Sequence, residues 1–513
     1  MLTRVQTVAL DGIEAVSVEV EVDFSPGLPT LGIVGLPEGA VREAKDRVRA
    51  ALGNSGFHLP AKRITINLAP AHLPKGGSSY DLPMALGLLG AMDKLSADCL
   101  AGTLFYGELS LDGRLRGVPG VLPVALFARR NGFGRLVVAR ENGSEAALTP
   151  DLAVHAPETL MDLVRHLLGE SLLAPLPATD WRGWRDKDRS EIPDLAEIKG
   201  QEYAKRALEI AAAGGHNLLM TGPPGSGKTF LARAFPGILP EMTLDEALEV
   251  TAVHSVAGRL SAARPFVATR PFRSPHHTAS KQSLVGGGGQ PHPGEVSLAH
   301  KGVLFLDEIP EFSRTVLEVL REPLESGRAH ISRTSYRARF PADFQLLAAC
   351  NPCPCGHLGH GGRPCRCSPA QVIGYQSRLS GPLLDRIDLH VEVPPVPTEV
   401  LVALPSGETS EKVRLRVEEA RMAQYARNGA GIRNSALNGR ALENHAVLAG
   451  PAQRILLDAG QRLGFSARAH GRLLRVARTI ADLAGARDIA VEHMAEAIQF
   501  RMGMGHWGGA RMG

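Results

Sequence analysis

One short segment constrains the fold of this chain more than any other: a glycine-rich loop between a strand pattern and a helix pattern. It fits the phosphate-loop pattern G-x-x-x-x-G-K-[ST] and consists of Gly222, Pro223, Pro224, Gly225, Ser226, Gly227, Lys228 and Thr229. Glycines let backbone N–H groups wrap phosphate oxygens, and the N-terminus of the following helix adds partial positive charge. We therefore expect an α/β domain that binds a nucleoside triphosphate, in preference to a chance glycine-rich turn.

A second apolar strand pattern ends in the carboxylates that this chemistry requires. Lys228 is expected to reach the β- and γ-phosphates, and Thr229 to offer its hydroxyl to Mg²⁺. The run 303–306 leads into Asp307 and Glu308. Asp307 would hold the Mg²⁺ through water, and Glu308 would polarise the attacking water. An apolar strand ending in Asp-Glu is common, but its distance from the phosphate loop favours this interpretation.

The strands of this region are near-continuously apolar and alternate with helical patterns. They are predicted at 216–221, 303–306 and 344–350. Such strands indicate a parallel sheet with both faces covered by helices. Asn351 follows the last strand, and we expect its amide to sense the γ-phosphate or the attacking water; the alternative is an asparagine that only caps the next turn.

Length and composition changes divide the chain. At 513 residues it exceeds a single hydrophobic core, so we expect roughly two to four domains. The predicted parts are an α+β domain at 1–170, a Pro- and Trp-containing linker at 171–193, the nucleotide-binding domain at 194–398 and a helical domain at 399–513.

Periodic apolar residues support the predicted N-terminal and C-terminal domains. Valines alternate with polar residues in 16–23, as in a half-buried strand, and the run 38–52 has a helical stripe. The predicted helical stripes are Val41, Ala44, Val48 and Ala51 near the start and Leu473, Ala477, Ile480 and Ala484 near the end.

Composition excludes several protein classes. No run approaches the roughly 18 apolar residues of a membrane helix. The first residues lack a signal-peptide pattern, so we expect a cytoplasmic protein. Net charge is only +4, so any electrostatic footprint for nucleic acid has to be local.

Five of the six cysteines lie between Cys350 and Cys367. Two C-x-C pairs suit a tetrahedral structural Zn²⁺, although the spacing is shorter than the usual C-x₂-C. The predicted ligands are Cys353, Cys355, Cys365 and Cys367, and either His357 or His360 is a possible substitute. Reduced thiols and a redox function are the alternatives. Four protein ligands leave no open position, so metal catalysis is not expected.

A basic segment marks the possible nucleic-acid contact. Residues 328–340 carry four arginines, a histidine and no acid. In a single strand Arg333, Ser335, Arg337 and Arg339 would share one face. Basic residues with a tyrosine can track phosphates and stack on bases, so we predict DNA contacts from Arg333, Arg337 and Arg339. A solvated basic edge strand is the alternative.

These motifs, in this order, resemble the AAA+ superfamily, and more specifically the magnesium-chelatase-like group that includes ComM and YifB. The resemblance covers essentially the whole chain. Its specific segments are RPFRSPHH at 270–277, PGEVSLAH at 293–300, NPCPCG at 351–356 and SGPLLDRID at 380–388.

The resemblance implies roles for residues outside the phosphate loop. Arg386 matches the arginine finger that acts on a neighbour's ATP, with Arg378 a weaker candidate, and Arg468 matches the second sensor. Guanidinium groups grip phosphate oxygens bidentately, whereas the alternative for each is a surface salt bridge. Ile198 and Gln201 match the adenine pocket. A finger that acts in trans implies a homo-hexamer, and the family places a β-hairpin at 328–340 and a mobile loop at 276–295 in the pore.

Residues 1–170 resemble the Lon-protease-like fold, especially at 73–81. Such proteases need a serine nucleophile and a lysine base. Ser79 falls near the nucleophile position, but the helix pattern at 121–131, which would bring the lysine, contains none. We therefore expect a non-proteolytic domain that serves assembly or DNA contact.

Three functions follow from these features. The favoured one, implied by the resemblance, is an ATP- and Mg²⁺-dependent hexameric DNA translocase or helicase. It would promote branch migration of single-stranded and branched DNA during homologous recombination in natural transformation, with recombinase or strand-exchange partners and no membrane. The alternatives are a magnesium-chelatase-like protein-remodelling ATPase and an ATP-dependent protease.

Overall fold

The computed structural model describes residues 2–288, 291–333, 336–359, 363–402, 407–463 and 466–502. Along the chain it shows an N-terminal α+β part, a parallel-sheet domain and a helical C-terminal part. The mixed α/β class with a parallel sheet and a helical C-terminus is thus confirmed. Among the described residues no helix is both long and apolar enough to cross a membrane.

The N-terminal part contains two principal sheets. A mixed sheet has the order β1-β2-β4-β3, and a parallel sheet has the order β5-β8-β9. The strands are β1 (Thr3–Asp11), β2 (Glu14–Ser25), β3 (Thr30–Val34), β4 (Arg63–Ala69), β5 (Thr103–Phe105), β6 (Glu108–Leu109), β7 (Leu115–Arg116), β8 (Arg135–Val137) and β9 (Ala153–His155). The helices are α1 (Gly39–Asn54), α2 (Asp81–Ala91), α3 (Ala97–Leu100), α4 (Val121–Arg130), α5 (Gly143–Ala146) and α6 (Leu160–Leu167).

The period-based predictions for this part agree with the observed core. The predicted helical stripe of α1 is buried at all of its positions, Val41, Ala44, Val48 and Ala51. Every residue of α2 is buried, including Asp81, whose carboxylate accepts hydrogen bonds of 2.8 and 2.9 Å from Arg47. A buried carboxylate is tolerated here because the guanidinium pairs with it.

The segment after this part contains a helix that docks on the next domain. Helix α7 spans Trp181–Arg189. The Trp181 ring meets Phe266 edge-on at a centroid distance of 6.3 Å, and Trp184 packs in the same apolar cluster. The two tryptophans therefore attach the connecting segment to the nucleotide-binding domain.

The central domain is built on a five-stranded parallel sheet with the order β11-β14-β17-β10-β18. The strands of this domain are β10 (Leu218–Thr221), β11 (Phe272–Arg273), β12 (Gly286–Gly287), β13 (His292–Pro293), β14 (Val303–Leu306), β15 (Arg328–Arg333), β16 (Tyr336–Pro341), β17 (Gln345–Cys350) and β18 (Leu389–Glu392). The helices are α8 (Glu202–Gly214), α9 (Lys228–Ile238), α10 (Leu244–Val256), α11 (Lys281–Val285), α12 (Glu295–Leu298), α13 (Arg314–Glu318), α14 (Arg321–Ser326), α15 (Pro369–Gln376), α16 (Gly381–Leu384) and α17 (Thr398–Val402).

The register of this sheet aligns the carboxyl ends of its strands. Thr221 lies opposite Cys350, and Leu306 lies opposite Ala348. The residues that follow these strands therefore emerge at one edge, which is where parallel sheets bind ligands.

The basic segment is an antiparallel hairpin, as the family resemblance implies, but the prediction that its arginines share one face of a single strand is wrong. β15 and β16 pair with Arg333 opposite Tyr336 and His330 opposite Arg339. Arg333 thus belongs to the first strand, and Arg337 and Arg339 to the second. Ser335 lies outside the described residues. The error arose because period-2 alternation continues across the reversal and no glycine or proline marks a turn.

The C-terminal part is helical, as predicted. Its helices are α18 (Ser410–Asn428), α19 (Gly439–His445), α20 (Gly450–Leu463), α21 (Ala467–Leu483) and α22 (Val491–Met502). In α21 the predicted stripe holds for Leu473, Ala477 and Ile480, whereas Ala484 is exposed just beyond the helix end.

Buried polar contacts attach this helical part to the sheet. The His216 ring bonds to Asp388 at 3.2 Å and to Thr479 at 2.8 Å. The prediction that β10 begins at residue 216 is therefore two residues early, because His216 serves this contact instead of the strand ladder.

Candidate nucleotide site and cysteine cluster

The glycine-rich loop joins the end of β10 to the start of α9. Gly227 precedes the helix with φ of 93°, a left-handed value that disfavours any side chain. At Gly222 a Cβ atom would lie 2.2 Å from the Val393 carbonyl oxygen. The path of the backbone therefore requires glycine at both positions.

Lys228 lies inside this loop and is 8% exposed. Its Nζ donates to the carbonyl oxygens of Gly222 and Pro223 at 2.7 and 2.9 Å and approaches Asn351 Oδ1 at 3.4 Å. Burial lowers the pKa of the Lys228 amine. A bound anion would offset this desolvation, so the geometry suits a phosphate group.

The two side chains expected to hold Mg²⁺ are in contact. Thr229 Oγ1 donates to Asp307 Oδ2 at 2.7 Å. Glu308 follows with φ of 51°, and its N–H donates to Asp307 Oδ1 at 3.0 Å. A non-glycine residue in the left-handed region is strained, and such residues cluster at functional sites. This turn leaves the Glu308 carboxylate exposed beside the loop.

The groups at this edge fit a magnesium nucleotide. A hydroxyl and a carboxylate lie in contact, an amine faces the loop, and the Ser226 hydroxyl is buried without a hydrogen-bond partner in the described part of the chain. A buried hydroxyl without a partner is costly, and a phosphate oxygen would satisfy it.

The residues expected at the adenine have structural contacts. Ile198 is 5% exposed and packs in the core of the domain. The Gln201 amide donates to the carbonyl oxygens of Ser226 and Pro394 at 3.2 and 2.6 Å. Gln201 therefore holds the phosphate loop against the segment after β18.

The two arginines expected to meet ATP lie at the other edge of the sheet. Arg386 and Arg468 line one cavity of about 1340 Å³, together with Asn217, Lys301 and other residues that precede the strands. Among the residues described as lining it, none belongs to the phosphate loop. β10 alone separates the two edges by about 13 Å at ~3.3 Å per residue.

Arg386 is largely buried within its own chain. Its side chain is 12% exposed and pairs with Glu325. Nη1 donates to the Pro382 carbonyl at 2.6 Å, and Nε is buried without a hydrogen-bond partner among described residues. Arg378 instead forms a salt bridge of 2.8 Å with Glu311, which follows Glu308 in the sequence.

The four predicted metal ligands come together. The Sγ atoms of Cys353, Cys355, Cys365 and Cys367 all lie within 4.8 Å of one another. The separations from Cys353 are 3.4 Å to Cys355 and 3.7 Å to Cys365. His357 is not part of this group of described residues, and His360 lies outside them.

The thiols differ in acidity. Backbone N–H groups of Arg366 and His357 lower the pKa of Cys355 to about 6. The Cys367 N–H lowers the pKa of Cys365, but desolvation and the neighbouring thiols outweigh it and raise that pKa to about 12. Deprotonation of all four thiols is therefore unfavourable unless a cation neutralises the thiolates, as a metal ion does in a thiolate site.

Tyr375 is a site residue that the sequence did not reveal. It is 5% exposed, and Arg378 lies over its ring at 5.9 Å. Burial, with Cys350 and Glu311 nearby, raises the pKa of the Tyr375 hydroxyl, which also meets the Asn351 backbone. No local spacing signals this contact, because α15 returns to the site only after the cysteine loop.

Several residues of the family-specific segments are structural. Arg270 donates to the carbonyl oxygens of Pro240 and Lys301, and Arg273 forms a bidentate pair with Glu295 at 2.7 and 2.9 Å. These contacts fix β11 beside β14 and do not touch the phosphate loop. His277, just after β11, packs edge-on to Phe312 at 6.5 Å.

The hairpin is anchored at its base by the N-terminal part. Ile331, Ala338 and Phe340 form an apolar cluster with Val256, and Leu10 and Ile13 pack against it. Arg339 is exposed at this base and lowers the otherwise burial-raised pKa of Asp11. The side chains of Arg333 and Arg337 lie outside the described part.

Comparison with known proteins places the chain among magnesium-chelatase relatives. Residues 194–401 match the family model "Magnesium chelatase, subunit ChlI", residues 20–142 match "Subunit ChlI of Mg-chelatase", and residues 407–501 match "Magnesium chelatase, subunit ChlI C-terminal".

Similarity over nearly the full length extends to bacterial proteins that include YifB and ComM. The chain is 47% identical to YifB of Salmonella typhimurium over 98% of its length and 97% of that protein. It is 48% identical to the competence protein ComM of Haemophilus influenzae over 96% of its length and 95% of that protein. The magnesium-chelatase 67 kDa subunit of Chlorobaculum tepidum is 31% identical over only 31% of this chain and 23% of its own length.

Proposed function

Since the chain belongs to the magnesium-chelatase-like AAA+ family that includes YifB and ComM, we propose that it hydrolyses ATP in a ring and uses the energy to move DNA. The observation that carries this proposal is the division of the sheet. One edge carries the loop, hydroxyl and carboxylate that would bind a magnesium nucleotide, and the opposite edge carries Arg386 and Arg468, which would assist hydrolysis.

The phosphate edge supplies binding and water activation. Lys228 would hold the β- and γ-phosphates, while Thr229 and Asp307 would hold Mg²⁺. The bound ion would supply charge neutralisation for the phosphates. Glu308 orients the attacking water, and Asn351, which lies beside the Lys228 amine, senses the γ-phosphate. Ile198 and Gln201 form the wall nearest the adenine.

The arginine edge supplies charge to a neighbour. Arg386 and Arg468 share a cavity at the edge opposite their own phosphate loop, so both would serve the next subunit's ATP. Residues that act in trans require a closed assembly, and the family implies a homo-hexamer. In the separate subunit, Glu325 holds Arg386 until a phosphate replaces it.

DNA is the proposed substrate of this motor. The β15–β16 hairpin carries Arg333, Arg337 and Arg339, which would follow phosphates within the pore. The relative named a competence protein supports a role with incoming DNA in natural transformation. The motor would promote branch migration of single-stranded and branched DNA during homologous recombination. It would act in the cytoplasm with recombinase or strand-exchange partners.

The N-terminal domain, residues 1–170, is proposed as a non-proteolytic Lon-like domain that positions the hairpin. Ser79 is 6% exposed and contacts the Tyr106 hydroxyl, and Lys75 is fully buried with its amine on the Pro70 carbonyl. At Gly12 a Cβ atom would lie 2.5 Å from the Arg339 carbonyl oxygen, so this turn lies tightly against the hairpin.

A structural Zn²⁺ on Cys353, Cys355, Cys365 and Cys367 completes the proposed cofactors. The close approach of the four sulfurs and the N–H groups aimed at them support it over reduced thiols. The metal would be a structural tie and take no part in hydrolysis.

The ATPase rate with and without DNA tests this function. We expect single-stranded and four-way branched DNA to raise the rate of the wild-type protein several-fold, and Arg333→Ala with Arg337→Ala to remove that stimulation while the basal rate stays. A wild-type rate that ignores every DNA would reject DNA as the substrate.

The match to the magnesium-chelatase subunit favours one second candidate, a protein-remodelling ATPase. It shares the nucleotide chemistry but predicts stimulation by a protein partner and none by DNA. The same measurement therefore separates the two candidates.

A further inference from the structure

The cysteine cluster lies directly against the phosphate loop. Gly356, between the two cysteine pairs, is buried with φ of 78°. A Cβ atom at this position would lie 2.4 Å from Pro224 Cδ and 2.8 Å from Pro224 Cγ. The cysteine loop and the phosphate loop therefore touch at a point where only glycine fits.

The same loop begins and ends at the nucleotide site. It begins after β17, where the Cys350 carbonyl accepts the Gly222 N–H at 3.2 Å and Asn351 faces Lys228. It ends in α15, where the Gln376 amide donates to the Pro352 carbonyl at 3.2 Å. Tyr375 of the same helix is buried against the Asn351 backbone.

The four thiols bring the two cysteine pairs of this loop together. Cys353 is fully buried, and Cys355, Cys365 and Cys367 are half-buried. No disulfide joins the described cysteines. Thiols alone repel one another when ionised, whereas a divalent ion would bind all four and fix the loop.

We infer that a divalent metal ion on these four cysteines controls nucleotide binding, because it holds Gly356 against Pro224 and keeps Asn351 facing Lys228. This inference rests on the proposed phosphate loop and zinc site. Loss of the metal frees the loop, so Pro224 loses its support and the binding-competent arrangement becomes a minor population. Zinc availability would thereby control the ATPase through the position of the cysteine loop.

The test measures zinc content and ATP affinity separately, on the full-length protein. Zinc is measured by mass spectrometry, and the dissociation constant of a fluorescent ATP analogue is measured with excess Mg²⁺. In Cys355→Ser/Cys367→Ser we expect zinc to be lost and affinity to fall about tenfold, as it would if about one tenth of molecules stayed competent. Cys99→Ser, a thiol in the N-terminal part, is the matched control and should keep both.

A second variant tests the contact without removing a ligand. Gly356→Ala places a methyl group against Pro224 and should retain zinc while weakening ATP affinity. Returning Zn²⁺ to metal-stripped wild-type protein should restore affinity, with unchanged circular dichroism excluding general unfolding.

The outcomes are distinguishable. If the zinc-free double variant and the Gly356→Ala variant both bind ATP like the wild type, the coupling between metal and nucleotide binding is overturned. The zinc site itself would be unaffected by that result. Wild-type protein that binds no metal overturns the zinc site and the coupling with it. A wild-type protein that binds zinc but no ATP overturns the proposed nucleotide function instead.

Discussion

Two inactive variants should restore each other's ATPase activity if Arg386 acts on a neighbouring subunit. Lys228→Ala removes the phosphate amine and leaves Arg386 intact, whereas Arg386→Ala leaves the phosphate loop intact. Arg386→Ala should lose at least about 10³-fold in turnover, the lower end of the range for an arginine finger, and Lys228→Ala should lose turnover because it no longer binds ATP. A mixed ring contains interfaces at which an intact loop meets an intact arginine.

The structure sets the size of the recovery. Arg386 lies at the amino ends of the strands, about 13 Å from the phosphate edge at ~3.3 Å per residue of β10, so it cannot serve its own loop. In an equal, random mixture half of the loops are intact and half of their neighbours carry the arginine. Activity should therefore reach about one quarter of the wild-type rate.

The assay mixes the variants before ATP is added and follows phosphate release across mixing ratios. A mixture of Arg386→Ala with Arg468→Ala is the control, because both arginines lie on one face of the same subunit and no interface would contain both. Absence of recovery in the first mixture, or recovery in the control, would refute the trans arrangement.

Three further predictions follow from individual contacts. Glu308→Gln should bind the ATP analogue like the wild type but stop phosphate release, since only water activation is lost; normal turnover would remove Glu308 from this role. Replacing Arg333, Arg337 and Arg339 with alanine should lower the slope of log K for DNA against log salt by about 0.7–0.9 per lost phosphate contact; an unchanged slope would contradict the hairpin assignment. Burial lowers the pKa of His254 to about 4, below its ordinary 6.5, so the unfolded chain takes up the proton first as pH falls. The free energy of unfolding should therefore fall between pH 6.5 and 4, by up to about 3 kcal/mol from this group, and urea titrations of His254→Gln should show a smaller fall.

Local signals predicted the elements whose geometry is set by nearby residues. The phosphate-loop glycines allow one backbone path, and apolar runs such as 303–306 form central strands because both faces are covered. The stripe Val41, Ala44, Val48 and Ala51 is buried because a helix turns every 3.6 residues.

Contacts across long separations were not predictable in the same way. Tyr375 reaches Asn351 only because the cysteine loop turns the chain back, and no pattern in either segment records that return. That Arg468 lines the same cavity as Arg386 depends on how the helical part packs on the sheet. The resemblance predicts the β-hairpin at 328–340, which the pairing of β15 with β16 confirms, but alternation alone does not separate Arg333 from Arg337 and Arg339 onto different strands.

The central claim is that ATP turnover moves DNA, and strand exchange in a labelled four-way junction tests it most directly. We expect the wild-type protein with ATP and Mg²⁺ to convert the junction to duplex products. Glu308→Gln, or wild type with a non-hydrolysable analogue, should bind the junction and leave it intact. A wild-type protein that hydrolyses ATP at full rate but leaves the junction unchanged would contradict the claim.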